Sequence, residues 1–316
     1  MHEAAAWAAT SMDLESVDLQ TVSGDASFRR YFRFYKGDQA IILMDAPPDR
    51  ENSASFVDID RRLREAGLNA PEILLFDLEL GFGLLEDFGD ILYRDILDEE
   101  SVDELFPPLF SMLGAFAREV DTSGLPNYDS LALQQELALF PDWYLRAHRQ
   151  RPLSRAEQLL WNEVCTTLIR SAYEQPQVFV HKDFHSCNLL RTASGKTGII
   201  DFQDGLAGPL SYDFISLIWD RYITWPRQQL ESWMKDFHHQ LKPDCDMQTW
   251  IRWCDLMGLQ RNLKIVGIFA RLHYRDGKDG YLDMIPRFYD YLLEVLPLYP
   301  EFQEFHQFLE QTRCAP

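Results

Sequence analysis

Three oxygen-bearing side chains stand close together in the middle of the chain. Asp183 and Asn188 lie in a segment of the form H-x-D-x4-N that begins at His181, and Asp201 follows thirteen residues after Asn188. Phosphoryl transfer needs a carboxylate beside the attacking hydroxyl, and oxygen ligands that hold Mg²⁺ against the β- and γ-phosphates. These residues predict a kinase that uses ATP and Mg²⁺ to phosphorylate a small hydroxyl compound.

The same segment allows a second interpretation. Asp183 and Asn188 are common turn residues, and the apolar runs at 178–180 and 198–200 could flank an ordinary polar β-hairpin. The chemical interpretation is favoured because a loop after one strand and the end of the next strand can bring side chains to one point.

The segment resembles the aminoglycoside phosphotransferase and choline kinase superfamily, which is related to protein kinases. His185 stands where protein kinases commonly have lysine. Histidine is usual at this position in the small-molecule branch of the superfamily, so a protein kinase is disfavoured. The resemblance implies a protein-kinase-like two-lobed α+β fold with Asp183 as the catalytic residue and Asn188 and Asp201 as metal ligands. It also implies that Asp213 steadies the catalytic loop, although a helix-capping role for this aspartate stays open.

Four further segments narrow the resemblance, namely residues 23–31, 44–48, 201–204 and 261–278. They resemble the anomeric N-acetylmuramate/N-acetylglucosamine kinases of cell-wall recycling, a match that extends over nearly the whole chain. This implies that the acceptor is the C1 hydroxyl of a small amino sugar. Two alternatives stay open: a kinase for an aminoglycoside-like or choline-like compound, and a non-catalytic nucleotide-binding scaffold.

The phosphate-binding features of protein kinases are incomplete. The loop at 23–27 has one glycine where protein kinases have G-x-G-x-x-G, and the strand at 40–44 has no lysine. Gly24 and Ser27 still let backbone N–H groups approach a phosphate, and Arg30 is the favoured source of positive charge. The alternative for this arginine is the solvated face of a strand.

The segment from Glu86 to Phe88 resembles the hinge whose backbone holds adenine, although an exposed acidic turn would have the same sequence. We therefore predict a nucleotide-binding lobe over residues 1–88 and a catalytic and substrate-binding lobe over residues 89–316.

A late helical segment carries a basic stripe. Five residues fall within an arc of about 100° on a helical wheel, and they are Arg261, Lys264, Arg271, Arg275 and Lys278. Arginine suits carboxylates, so the stripe is a candidate receptor for the lactyl carboxylate of N-acetylmuramate. His185, Arg271 and Arg275 are the candidate substrate residues. Pairing of the stripe with acidic helices stays open as the alternative.

The elements that position these residues fall into two groups. Strand and turn patterns predict a hairpin of 28–35 with 40–44, a helix over 52–66 capped by Asn52, and strands at 73–76 and 83–85. Later apolar periodicity predicts helices over 102–119, 130–148, 154–173, 228–240, 247–275 and 284–296. We therefore expect a small antiparallel sheet lobe with one main helix and a larger, mostly helical lobe.

Composition limits the partners of the protein. A net charge of −20 over 316 residues disfavours nucleic acid and anionic membranes. The sequence has no apolar run of about 20 residues and no basic n-region at its start, so a soluble, cytoplasmic protein is expected. Five cysteines without a C-x-x-C pair predict reduced thiols and no zinc site. Nothing in the sequence indicates an obligate protein partner.

Overall fold

The computed structural model describes residues 2–22 and 28–313, which divide into two compact units. The first unit contains the described residues up to Ala115 together with 119–121 and 186–205. The second contains 116–118, 122–185 and the residues from Leu206 onward. The boundary expected at residue 88 stays a prediction.

An antiparallel sheet of five strands forms the centre of the first unit. The strands are β1 (Gln20–Val22), β2 (Arg30–Lys36), β3 (Gln39–Asp45), β4 (Ile73–Asp77) and β5 (Phe82–Glu86). Their order across the sheet is β1-β2-β3-β5-β4. The predicted hairpin is confirmed, since β2 and β3 pair from Arg30 opposite Asp45 to Lys36 opposite Gln39.

Alternation along these strands buries one set of side chains. Phe32 and Phe34 of β2 pack with Ile41 and Leu43 of β3, and a helix at the start of the chain, α1 (His2–Ser11), covers this cluster. The sequence pattern predicted β2 and β3 but neither α1 nor β1.

Two more helices begin in the first unit, α2 (Ser53–Glu65) and α3 (Val102–Arg118). The predicted cap of α2 is confirmed, because the side chain of Asn52 accepts the N–H of Ser55 at 3.2 Å. A small two-stranded sheet of β7 (Leu189–Arg191) and β8 (Thr197–Ile199) also lies in this unit.

The second unit is mostly helical. Its helices are α4 (Ser130–Leu139), α5 (Arg155–Glu174), α6 (Tyr212–Ile218), α7 (Arg227–Leu241), α8 (Met247–Tyr274), α9 (Ile285–Val295) and α10 (Gln303–Arg313). It also contains one pair of strands, β6 (Gln177–Val180) and β9 (Leu206–Pro209). Short 3₁₀ helices occur in both units: Tyr93–Asp95 and Ser186–Asn188 lie in the first, and Leu282–Met284, Leu296–Leu298 and Pro300–Phe302 lie in the second. No helix in the described ranges is long and apolar enough to cross a membrane.

Two local expectations differ from the structure. The segment predicted as one helix over 130–148 is α4 followed by a π-helix over Phe140–His148, and Pro141 at its start supplies no N–H for the regular α-helical ladder. The runs at 178–180 and 198–200 do not pair with each other, because β6 pairs with β9 and β8 pairs with β7. The polar hairpin interpretation is therefore wrong.

Helix α8 runs through the core of the second unit. It approaches its neighbours closely at two glycines: a Cβ on Gly258 would lie 1.9 Å from the ring of Trp219, and one on Gly267 would lie 2.4 Å from the backbone of Leu139. The fully buried ring of Trp219 also stacks on Tyr291, with 5.1 Å between ring centroids. Trp219 is thus a core residue.

Helix α2 buries a carboxyl group in the first unit. Asp60 is 4% exposed, and its Oδ1 atom has no hydrogen-bond partner within the described ranges. Burial raises the pKa of Asp60 from 3.8 to about 7, against an opposing effect of Arg64. Because its folded-state pKa exceeds the unfolded value, stability from this group is present at low pH and is lost as the pH rises through about 7.

We predict that Asp60→Asn reduces the pH dependence of stability. The free energy of unfolding of the unmodified protein should fall between about pH 5 and 8, and the substitution should remove about 1–3 kcal/mol of that fall. Urea denaturation of both proteins at the two pH values measures the difference. An identical pH dependence in both would show that Asp60 titrates normally.

Candidate active site

A buried carboxylate holds the loop that carries Asp183. The carboxylate of Asp213, in the first turn of α6, accepts the N–H groups of His181 at 2.5 Å and Lys182 at 3.1 Å. Burial raises the pKa of Asp213 to about 7, and these two N–H groups act in the opposite direction. Of the two predicted roles, the structure shows the loop-steadying one, since the N-cap of α6 is Ser211.

Asp183 lies among positive charges at the surface of the second unit. Its side chain is 50% exposed. Partial burial is the largest single influence on its pKa and would raise it, but the neighbouring cations Lys264, Arg261 and Arg221 outweigh burial and lower the pKa. Asp183 is therefore ionised at neutral pH, and an accessible carboxylate in this state can accept the proton of a hydroxyl group.

His185 is buried beside Asp183. Burial and the charge of Arg221 lower the pKa of His185, and the Nη2 atom of Arg221 lies 2.6 Å from its Nε2 atom. The ring is therefore neutral and accepts a hydrogen bond from Arg221. The nearest oxygen of Asp183 is 3.9 Å away. A substrate role for His185 stays a prediction, and no sequence pattern had pointed to Arg221.

Lys264 of α8 has its own counter-ion. Its ammonium group lies 2.9 Å from the carboxylate of Glu136 on α4 and donates to the hydroxyl of Tyr212 at 3.1 Å. Burial would lower the pKa of Lys264, but the nearby negative charge raises it above its usual value. The lysine is thus a fixed positive charge near Asp183.

Asn188 and Asp201, the two predicted metal ligands, contact each other in the first unit, and their metal-binding role stays a prediction. The side-chain N–H of Asn188 donates to Oδ2 of Asp201 at 3.3 Å, and the N–H of Ile200 donates to the carbonyl of Asn188 at 3.1 Å. Gln203 donates to the other oxygen of Asp201 at 2.8 Å. Asp201 has a φ of 63°, which is uncommon for a residue with a side chain.

The residues after Asp201 are attached to α2. The ring of Phe202 stacks on Phe56 with 4.9 Å between centroids, and the hydroxyl of Ser55 donates to the carbonyl of Gln203 at 2.9 Å. A carboxylate and an amide held in this way fit Mg²⁺, which binds proteins through one or two such oxygen ligands and takes the rest from phosphates and water.

The arginines of β2 are engaged with acidic residues. Arg30 forms an ion pair with Asp45 and is 54% exposed. Arg33 contacts Asp90 at 2.8 Å and also pairs with Asp87, and both carboxylates raise its pKa. A phosphate-binding role for Arg30 stays a prediction. Gly24 and Ser27, the other expected phosphate contacts, lie outside the described residues.

The expected adenine hinge begins at the last residue of β5. The N–H of Glu86 donates to the carbonyl of Glu72 at 2.8 Å, so this N–H group already has a hydrogen-bond partner within the protein. The ring of Phe88 is buried against Gly198, where a Cβ would lie 2.4 Å from it. Contacts of Glu86 and Phe88 with a nucleotide stay a prediction.

The two remaining substrate candidates lie at the C-terminal end of α8. Arg271 is partly buried, and its Nε atom has no hydrogen-bond partner in the described part of the chain. Arg275 is exposed and pairs with Asp276 at 2.7 Å. The stripe predicted from the helical wheel therefore spans very different environments, from buried at Arg261 to exposed at Arg275.

Solved structures with the same fold are small-molecule kinases. A choline kinase from Streptococcus pneumoniae superposes with a TM-score of 0.65 at 14% identity, covering 93% of this chain and 100% of that one. An ADP-bound aminoglycoside phosphotransferase has a TM-score of 0.58 at 15% identity, covering 92% and 96%. These likenesses confirm the predicted kinase-like α+β fold.

Sequence comparison identifies the family and its related kinases, whereas the structural likenesses show the fold alone. Residues 18–252 match the phosphotransferase enzyme family. An N-acetylmuramate/N-acetylglucosamine kinase of Pseudomonas aeruginosa is 42% identical over 94% of this chain and 89% of its own length, and one of Neisseria meningitidis is 36% identical over 93% and 90%. The chain therefore belongs to the phosphotransferase enzyme family, together with relatives that are N-acetylmuramate/N-acetylglucosamine kinases.

Proposed function

We propose that the protein is an ATP-dependent kinase that phosphorylates the anomeric C1 hydroxyl of N-acetylmuramate or N-acetylglucosamine in the cytoplasm, as a step of peptidoglycan recycling. The observation that carries the proposal is the accessible, ionised carboxylate of Asp183 on a clamped loop. The substrates follow from the kinases that match nearly the whole chain.

In this proposal Asp183 orients the sugar and removes its proton. The C1 oxygen attacks the γ-phosphorus of ATP, a new O–P bond forms, and the bond between the γ-phosphorus and the ADP oxygen breaks. The proton of the C1 hydroxyl passes to the carboxylate of Asp183. Because Asp183 is ionised at neutral pH, it is ready to accept that proton.

The metal would be held by Asn188 and Asp201. When bound, Mg²⁺ supplies charge neutralisation for the β- and γ-phosphates. The hydrogen bonds from Gln203 and Asn188 to Asp201 restrict the rotation of that carboxylate, so its oxygens are oriented before the metal arrives.

The charge around Asp183 favours a neutral or anionic acceptor. Choline and aminoglycosides are cations, and their recognition needs negative or aromatic surroundings. Arg221, Arg261 and Lys264 instead place positive charge near Asp183. An amino sugar with an acetylated nitrogen carries no such positive charge, so it is the better match.

The function is tested by following phosphorus during turnover. Purified protein with ATP, Mg²⁺ and each sugar in turn should give ADP and a ³¹P doublet of an anomeric sugar 1-phosphate. Choline and an aminoglycoside serve as comparison acceptors and should give no product. A 6-phosphate product, or ADP without a phosphosugar, would contradict the proposal.

Asp183→Asn should lower kcat by about 10²- to 10⁴-fold, because the amide cannot accept the proton. The melting temperature should fall slightly, because the lowered pKa of Asp183 means that its carboxylate stabilises the folded protein at neutral pH. Steady-state kinetics with either sugar measures the loss, and Asp236→Asn on the exposed face of α7 is the matched control. Near-normal turnover of the Asp183 variant would remove this residue from the chemistry.

A further inference from the structure

Arg261 of α8 is a buried cation that has no counter-ion among the residues that the structure describes. Arg261 is 4% exposed to solvent, and its Nη1 atom has no hydrogen-bond partner within residues 2–22 and 28–313. No carboxylate in those ranges lies within 4.0 Å of its guanidinium nitrogens. Burial is the main influence on its pKa and lowers it.

Three other largely buried cations of the described residues each have a carboxylate partner. The enclosed pairs are Arg29 with Glu51 at 2.9 Å, Lys264 with Glu136 at 2.9 Å, and Arg227 with Asp255 at 2.8 Å. Lys264 lies one helical turn from Arg261 on the same helix, so the buried positive charges of both residues need a nearby negative charge. Only a partner from outside the described residues is left for Arg261.

The absence of a counter-ion has an energetic consequence. An unpaired buried charge is strongly unfavourable, and an arginine is not relieved by losing its proton. The guanidinium lies near Arg221, which repels it, and near Asp183 and Asp220, which attract it without forming an ion pair. A small anion that entered beside Arg261 would remove this imbalance.

We propose that Arg261 binds the carboxylate of the lactyl ether of N-acetylmuramate and thereby sets the preference between the two sugars. This inference rests on the proposed function, because it requires the sugar to bind with its C1 hydroxyl at Asp183. The guanidinium offers parallel N–H donors that suit a carboxylate, and enclosure from water strengthens the contact. N-acetylglucosamine has no carboxylate and would leave Arg261 unpaired.

The transferred phosphoryl group is another anion that Arg261 could contact. Comparing the two sugars distinguishes a contact with this group from a contact with the lactyl carboxylate. A contact to the lactyl carboxylate affects N-acetylmuramate alone, whereas a contact to the phosphoryl group affects both substrates equally. The ratio of the two kcat/KM values therefore reports on the partner of Arg261.

The experiment compares Arg261→Gln, Arg261→Lys and the unmodified protein with both sugars. Arg261→Gln should lower kcat/KM for N-acetylmuramate by about 10- to 100-fold, mainly through KM, because a charge-assisted contact is lost. The value for N-acetylglucosamine should stay within about threefold. Arg261→Lys should recover part of the loss, since it keeps the charge. Arg252→Gln, near the start of α8, is the control and should leave the ratio unchanged.

A binding measurement without ATP adds a second readout. N-acetylmuramate should raise the melting temperature of the unmodified protein more than that of Arg261→Gln, while the unliganded variant should melt no lower than the unmodified protein. Equal losses with both sugars, no loss with either, or a strongly lowered melting temperature of both unliganded Arg261 variants would overturn the assignment. Failure of the unmodified protein to phosphorylate either sugar would instead contradict the proposed function.

Discussion

The burial of charge is the constraint on which the candidate active site depends. Asp183 stays ionised because positive groups lie near it, and two of them, Arg261 and Lys264, are themselves largely removed from water. Lys264 is stabilised by Glu136, while Arg261 has no counter-ion in the described part of the chain. The same cluster thus keeps the carboxylate ready for its proposed reaction and leaves one positive charge unmatched.

The folds of the two units supply the precision that this chemistry requires. In the second unit, α8 packs closely on its neighbours at Gly258 and Gly267, so the backbone that carries Arg261 and Lys264 is held in place. Asp213 fixes the backbone of the loop through two N–H groups. In the first unit, Asp201 is held by side chains on both of its oxygens. Preorganised groups of this kind avoid rearrangement during a reaction.

Local patterns predicted much of this architecture. The hairpin of β2 and β3 and the capped helix α2 were readable because their signals lie within a few residues of each other. Long-range partners were not readable: periodicity gives the face of a helix but not the residue that meets it, so the contact of Arg221 with His185 was missed. The helical wheel likewise grouped Arg261 with Arg275, although burial differs along the length of α8.

A crystal structure with Mg²⁺, a non-hydrolysable ATP analogue and N-acetylmuramate is the most direct measurement of the central claim. The account predicts the C1 oxygen of the sugar within hydrogen-bond distance, about 2.6–3.2 Å, of the Asp183 carboxylate. It also predicts Mg²⁺ on oxygens of Asn188 and Asp201. A sugar whose C1 hydroxyl contacts a different side chain, with Asp183 facing solvent, would contradict it.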